Sequence, residues 1–261
     1  MSADLDIKKT VQMIILLYLF FIGSIAGWCI ELVFRRFFGA NNPEHRWINP
    51  GFLTGPYLPI YGFGLVTLYL LARTPVPAGG LIRQDLVHFL LMAVSMTVIE
   101  YIAGLFFVKA MHVRLWDYTK QWGNVQGIIC PLFSFFWALL GAFYYFFIHP
   151  RILEALKWLS ENMAFCLVIG FFYGVFSVDV FYSFSLINRI RSFAEENGII
   201  VRYEAIKSGI RKVEEDSKKL HFLFAFRTNV PLHVHLEKYI ELMTAFNADY
   251  LPEPIRRRVK K

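Results

Sequence analysis

The stretch VQMIILLYLFFIGSIAGWCIELVF, residues 11–34, decides the fold. Its one charged residue, Glu31, sits near its end, and Arg35 and Arg36 follow directly. A helix that crosses the hydrocarbon core of a bilayer needs about 20 mostly apolar residues. This run is long enough, and it is too long for the apolar core of a secretory leader. Trp28, Cys29 and Glu31 also make a poor small-residue cleavage site. It reads as a first transmembrane helix.

Further spans follow by the same rule, at residues 56–72, 86–108, 128–148 and 163–187. The whole chain agrees: 56% of its 261 residues are hydrophobic and 18% aromatic, against about 45–50% apolar in an ordinary soluble domain. The expected fold is an all-α integral membrane protein, a bundle of about five transmembrane helices (1–187) with a basic, amphipathic, helical cytoplasmic tail (188–261). Lys and Arg near span ends set orientation. Arg189, Arg191, Arg202 and Lys207 follow the fifth span, which predicts a cytoplasmic tail and an external N-terminus. If residues 56–72 re-enter instead of crossing, the count is four and the N-terminus is internal. The net charge of +7 follows from this positive-inside bias, without nucleic acid as partner.

In the tail, Asn197-Gly198 reads as a helix stop. Ile206, Ile210 and Val213 then follow helical spacing from Tyr203 to Leu220, and a second helix from Pro231 carries Leu232, Leu236, Ile240 and Met243. The run HFLFAF, residues 221–226, is apolar enough to cover the bundle or lie among lipid headgroups. Equally, the tail can pack on itself and the loops.

Acids inside the spans are costly and are functional candidates by default. Glu31 has Arg35 one turn on, so a local ion pair is the competing reading. Glu100 has Met96, Thr97, Ala103 and Gly104 as helical neighbours and no positive charge among them. It must face the bundle, and it needs a partner from another element or its own proton. Asp179 has the hydroxyls of Tyr182 and Ser183 within a turn. All three are expected toward the cytoplasmic ends of their spans. The same level receives Trp116-Asp117-Tyr118, then Asn124 and Gln126, and the run FLTGPYLPIYGFG, residues 52–64. With Pro56, Pro59 and three glycines, that run cannot be helical throughout. Irregular backbone at membrane depth survives only inside protein or around a water-filled cavity, and broken segments build solute sites in transporters. The alternative is a proline-kinked helix start with its tyrosines in the aromatic belt. The candidate substrate-binding residues are Glu31, Arg35, Tyr57, Tyr61, Glu100, Asp117, Asn124 and Asp179. Phe135, Phe136, Trp137, Tyr144 and Tyr145 read as packing and belt residues.

GWCIE in the first span, NPGFLTGPYLPIYGFG around the second, and LWDY followed by NVQGIICPLFSFFWALLG resemble the ABC-transporter permease family of type IV (CmpB-like), over residues 14–150. Pro50 stands where the family pattern has a basic residue, and Pro131 where it has leucine, near a helix start that tolerates proline. The resemblance implies a bacterial inner-membrane protein with several spans. It supplies no catalytic residue.

No GxxxxGK[ST] phosphate loop is present, so a permease of this kind requires a separate ATP-binding subunit. EAIKSG, residues 204–209, is one residue short of the EAAxxxG loop by which permeases dock an ATPase, and chance explains it better. His233 and His235 are two apart and diverge on a helix, a poor metal pair. Cys29, Cys130 and Cys166 form no CxxC pattern. No cofactor is expected. Two function classes remain, with membrane lipid around both. One is a permease or solute-binding membrane subunit whose acids hold a cation, a proton or a cationic solute. The other is a membrane-embedded enzyme on a lipid-borne group, with Glu100 as acid or base and Arg35 and Arg36 clamping a phosphate. A structural or signalling membrane protein is the third, blander alternative.

Overall fold

A computed structural model describes residues 2–39, 42, 45–75, 81–214 and 231–246. The helices are α1 (Ser2–Phe37), α2 (Pro59–Ala72), α3 (Leu81–Leu105), α4 (Pro131–Phe143), α5 (His149–Glu161), α6 (Cys166–Asn197), α7 (Tyr203–Glu214) and α8 (Leu232–Phe246). Two short strands, β1 (Val113–Arg114) and β2 (Val201–Arg202), pair in parallel. Four helical stretches are long and apolar enough to cross a membrane: Lys9–Phe37, Gln84–Ala110, Pro131–Leu159 and Cys166–Asn197. The chain is a multi-span helical membrane protein. The expected second span is the exception. Helix α2 has 14 residues, about 21 Å at 1.5 Å per residue, too short for a 30 Å core. Irregular backbone from Asn49 to Leu58 precedes it.

Small residues explain how that broken segment fits. Gly27 lies where a Cβ would collide with the Tyr61 ring, and a Cβ on Gly23 would meet Leu65 at 2.8 Å. The register 27 to 61 and 23 to 65 makes α2 antiparallel to α1, with a small-xxx-small face on α1 that lets the helices approach closely. Gly62 likewise sits against Ser24 and Phe20. The Leu58 amide donates to the Ser24 carbonyl at 2.9 Å, so the irregular stretch reaches more than three turns below the end of α1.

Backbone at that depth must find protein partners, and one carboxylate on α6 takes two of its amides. Asp179 on α6 accepts from the Thr54 amide at 3.1 Å, the Gly55 amide at 2.7 Å, the Tyr57 hydroxyl at 2.6 Å and the Ser183 hydroxyl at 2.9 Å. Asn49 does the complementary work. Its side chain donates to the Leu53 and Thr54 carbonyls and accepts from the Trp28 indole at 2.9 Å.

Two further spans bend the expected boundaries. Pro150 lies inside the stretch Pro131–Leu159 without ending it, because a π-helical turn at Tyr144–Ile148 widens the helix just before the proline. The Arg151 guanidinium donates to the Phe147 carbonyl one turn back. Helix α6 runs on past residue 187 because Ile187, Ile190 and Ala194 continue its buried stripe. It stops at Gly198 (φ +62°), where the Ile199 amide reaches the Ala194 carbonyl and the Gly198 amide that of Glu195, a Schellman cap.

Beyond that cap the tail folds back on the bundle. Val201 pairs with Val113, and Ile206, Ile210, Leu236 and Tyr239 close a core with Ile187 and Ile190. Helices α7 and α8 thus carry the expected apolar stripes and spend them on each other and on the loop after α3. HFLFAF lies outside the described residues. The ends of α1, α3 and α6 share one face with the tail, and the opposite face is tied by the Tyr145 hydroxyl on Asp85 and His88 on the Thr74 carbonyl.

Replacing Asp179 by Leu orphans two half-buried amides, at up to about 1–3 kcal/mol each. The midpoint of detergent-induced unfolding is expected to fall accordingly, and residues 49–58 to become protease-sensitive; Asp179→Asn, which keeps an acceptor oxygen, loses roughly half as much. Gly27→Ala forces Tyr61 off α1. It is expected to cost about 1–3 kcal/mol as overpacking, read as a lowered thermal midpoint.

Candidate functional site

A cavity of about 910 Å³ lies between α1, α2, α3, α4 and α6, with the irregular segment and the start of α7 at one end. Its walls are mostly aromatic and aliphatic, and its polar groups converge at that end. Helix α1 brings Glu31 and Arg35 to the wall, one turn apart. Arg35 Nε donates to Glu31 Oε1 at 2.9 Å, and Arg35 Nη1 to Glu204 Oε1 at 2.9 Å. The expected local ion pair therefore exists, and a third member arrives from the tail. Tyr61, pressed onto α1 by the absence of a side chain at Gly27, donates its hydroxyl to Glu31 Oε2 at 3.1 Å.

Glu100 is the second acid of the wall. It is 4% exposed and faces the bundle, as its apolar helical neighbours require. Its donors come from other elements: Tyr118 Oη to Oε1 at 3.1 Å, and Trp137 Nε1 to Oε2 at 3.0 Å. Among the described residues no basic side chain bonds to it. Trp137 also packs its ring 5.0 Å from that of Tyr61, so the two acids stand at either end of a belt, Glu31–Tyr61–Trp137–Glu100. Tyr118 stacks on Phe133 at 4.3 Å. Burial first, then the neighbouring Glu100 carboxylate, pushes the Tyr118 hydroxyl well above its ordinary range, so it stays a donor at any physiological pH.

Of the eight residues singled out from sequence, Glu31, Arg35, Tyr57, Tyr61 and Glu100 line the cavity. Tyr57 presents its ring there while its hydroxyl is bound to Asp179. Asp179 itself stands behind that wall as the anchor of residues 54–57, and of its two expected local donors Ser183 serves while Tyr182 is exposed. Asn124 and Asp117 lie in the loop between α3 and α4, outside the lining. Asn124 shapes that loop, bonding the Thr119 and Gln121 carbonyls and the Gly127 amide. Asp117 pairs with Arg202 at 3.0 Å and Arg114 at 3.5 Å and accepts from the Thr119 amide, tying the loop to β2.

Three residues of the polar end were not singled out: Tyr118, Trp137 and Glu204. Tyr118 belongs to the quoted LWDY. Trp137 reads as a packing aromatic, and only its indole N–H hints at a buried acceptor. Glu204 and Lys207 both fall in EAIKSG, whose role is internal. Lys207 is 1% exposed and donates to the Asn49 carbonyl at 2.8 Å and the Gly51 carbonyl at 3.2 Å, with Glu204 at 3.5 Å. Helix α7 is thereby pinned over the polar end.

Residues 18–184 match the family described as putative ABC-transporter type IV. The match covers more than half of the chain and reaches past residue 150 into α6, stopping short of α7. No curated protein and no solved structure matches the chain.

The tie between loop and tail should be acid-labile. Burial works to raise the Asp117 pKa, but the Thr119 bonds, Arg202 and Arg114 outweigh it and hold the carboxyl below its ordinary value. A group depressed by folding contributes stability above its unfolded pKa, near 3.9. That contribution is lost as pH falls through the lower folded value. Tail protection from proteolysis is therefore expected to fade below about pH 4 in the wild type, and Asp117→Asn to show the weakened state already at neutral pH.

Proposed function

The chain belongs to the putative ABC-transporter type IV family, and on that premise we propose that it is the membrane subunit of a transporter whose solute occupies the cavity beside Glu31 and Glu100. The observation that carries this reading is Glu100 itself: a carboxylate 4% exposed, on a cavity wall, held by two neutral donors. An intramembrane acid without a basic partner is costly unless it serves a ligand or a proton. The broken segment supports the same reading, since it puts non-helical backbone and Tyr57 at the cavity's polar end. Glu31, Arg35, Tyr61 and Glu100 are the proposed contacts. Tyr57 shapes the wall, and Asp179, Asp117 and Asn124 hold the frame.

The energy source is a separate ATP-binding subunit, as the absence of a phosphate loop in the sequence requires of such a permease. We place the face that carries α7, α8 and the ends of α1, α3 and α6 in the cytoplasm of a bacterial inner membrane. Arg35, Arg36, Arg46, Lys109, Arg114, Lys120, Arg189 and Arg191 all belong to that face, in line with positive-inside bias. The enzymatic alternative loses its phosphate clamp. Arg35 is engaged by two carboxylates, and Arg36 lies 4.4 Å over the Trp47 ring while donating to the His45 carbonyl.

Glu100→Gln removes the charge while leaving an acceptor for Tyr118 or Trp137. A lost charge-assisted contact is worth about 1.5–3 kcal/mol, roughly ten- to a hundredfold in affinity. The variant is expected to keep its thermal midpoint within a few degrees and to fail to complement a deletion strain. Full complementation by folded Glu100→Gln protein would overturn the proposal.

A further inference from the structure

The cavity is two-sided in chemistry, and that division names its ligand. At one end stand Glu31, Glu204 and Glu100. The first two share Arg35, and Glu204 also has Lys207 at 3.5 Å, so two acids are balanced by two bases. Glu100 is the third acid, bonded only by neutral donors. Around it lie the faces and edges of Tyr61, Tyr118 and Trp137, an aromatic setting that attracts cations. An anionic head would meet three carboxylates and a guanidinium already engaged twice. A cationic head would find the missing countercharge.

Away from that end the lining is apolar, and much of it is also on the outer surface. Ile30 on α1, Phe63 on α2, and Phe136, Leu139 and Phe143 on α4 all line the cavity, yet are 39–57% exposed. Ile30, Phe136, Leu139 and Phe143 lie within helical stretches long and apolar enough to cross a membrane, so the cavity opens sideways between α1 and α4 at a level where the surroundings are hydrocarbon. From Phe133, beside Tyr118, to Phe143 the lining follows α4 for ten residues, about 15 Å. A small hydrophilic cation has no use for such a wall; a hydrocarbon chain does.

Building on the transport reading, we propose that the ligand is an amphiphile with an ammonium head, which enters from the bilayer between α1 and α4. Its nitrogen sits at Glu100 among Tyr61, Tyr118 and Trp137, and its chain lies along Phe136, Leu139 and Phe143. The shared chemistry has two sources, an amino-headed phospholipid or a free alkylammonium compound.

Binding is read as quenching of tryptophan fluorescence by probes brominated on the chain, with the full-length protein in an uncharged maltoside detergent. The probes are a dodecyltrimethylammonium, a lysophosphatidylethanolamine and a lysophosphatidylglycerol, with unbrominated tetramethylammonium as competitor. At least one of the first two is expected to quench saturably. Glu100→Gln should weaken it roughly tenfold, and Leu139→Trp, a bulky residue at an exposed position in the mouth, should block it even if Glu100→Gln folds poorly. Quenching by lysophosphatidylethanolamine alone assigns the phospholipid source; quenching by the alkylammonium as well assigns the free amphiphile. Equal quenching by lysophosphatidylglycerol, an unchanged half-quenching concentration in folded Glu100→Gln protein, or no saturable quenching by either ammonium probe overturns the proposal. So does full competition by tetramethylammonium at the same concentration. In each of these cases complementation by Glu100→Gln still decides the transport reading on its own.

Discussion

The architecture depends on one carboxylate. Asp179 holds the backbone of residues 54 and 55 and the hydroxyl of Tyr57. Without an acceptor there, a segment with Pro56 and Pro59 has no stable place inside a bilayer, because its free amides would each carry a full desolvation penalty. With it, irregular backbone leads into a short helix packed against α1. The consequence is local: helix α2 begins low, Tyr57 and Tyr61 both face inward, and a space remains beside α1 that a full-length helix would have filled.

That space owes its polar end to three distant parts of the chain. Glu31 and Arg35 come from α1, Glu100 from α3, and Glu204 from the tail, 169 residues from its partner Arg35. Lys207 adds a buried cation on two carbonyls of the irregular segment. The tail is therefore part of the wall, and the matched family region, which stops at residue 184, does not include this piece of it.

Much of this was legible in the residues, for physical reasons. Long apolar runs report bilayer thickness, so the long spans were readable to within a few residues at most ends. Proline and glycine report broken backbone, so the irregular second segment was readable too. Glu100 was readable as inward-facing because its own helix offers it nothing. Partnerships between elements were less accessible. Spacing on one helix found Ser183 for Asp179, but the other donors sit more than 120 residues away. The helix stop at Asn197-Gly198 was readable as well, and the stripe Ile187, Ile190 and Ala194 shows why α6 runs on to it past the apolar span. Asp117 and Asn124 were drawn to the site by depth alone, and depth does not distinguish a cavity wall from the loop behind it.

The separation between Asp179 and its amide partners also sets an order of events. Residues 54 and 55 leave the ribosome more than 120 residues before their acceptor exists. During synthesis they must remain with water or the insertion machinery while α3 and α4 are threaded. The irregular segment is made early and docks late, once α6 has arrived, and Lys207 fastens it later still. A chain truncated before residue 179 would insert most of its helices and still leave that segment unseated.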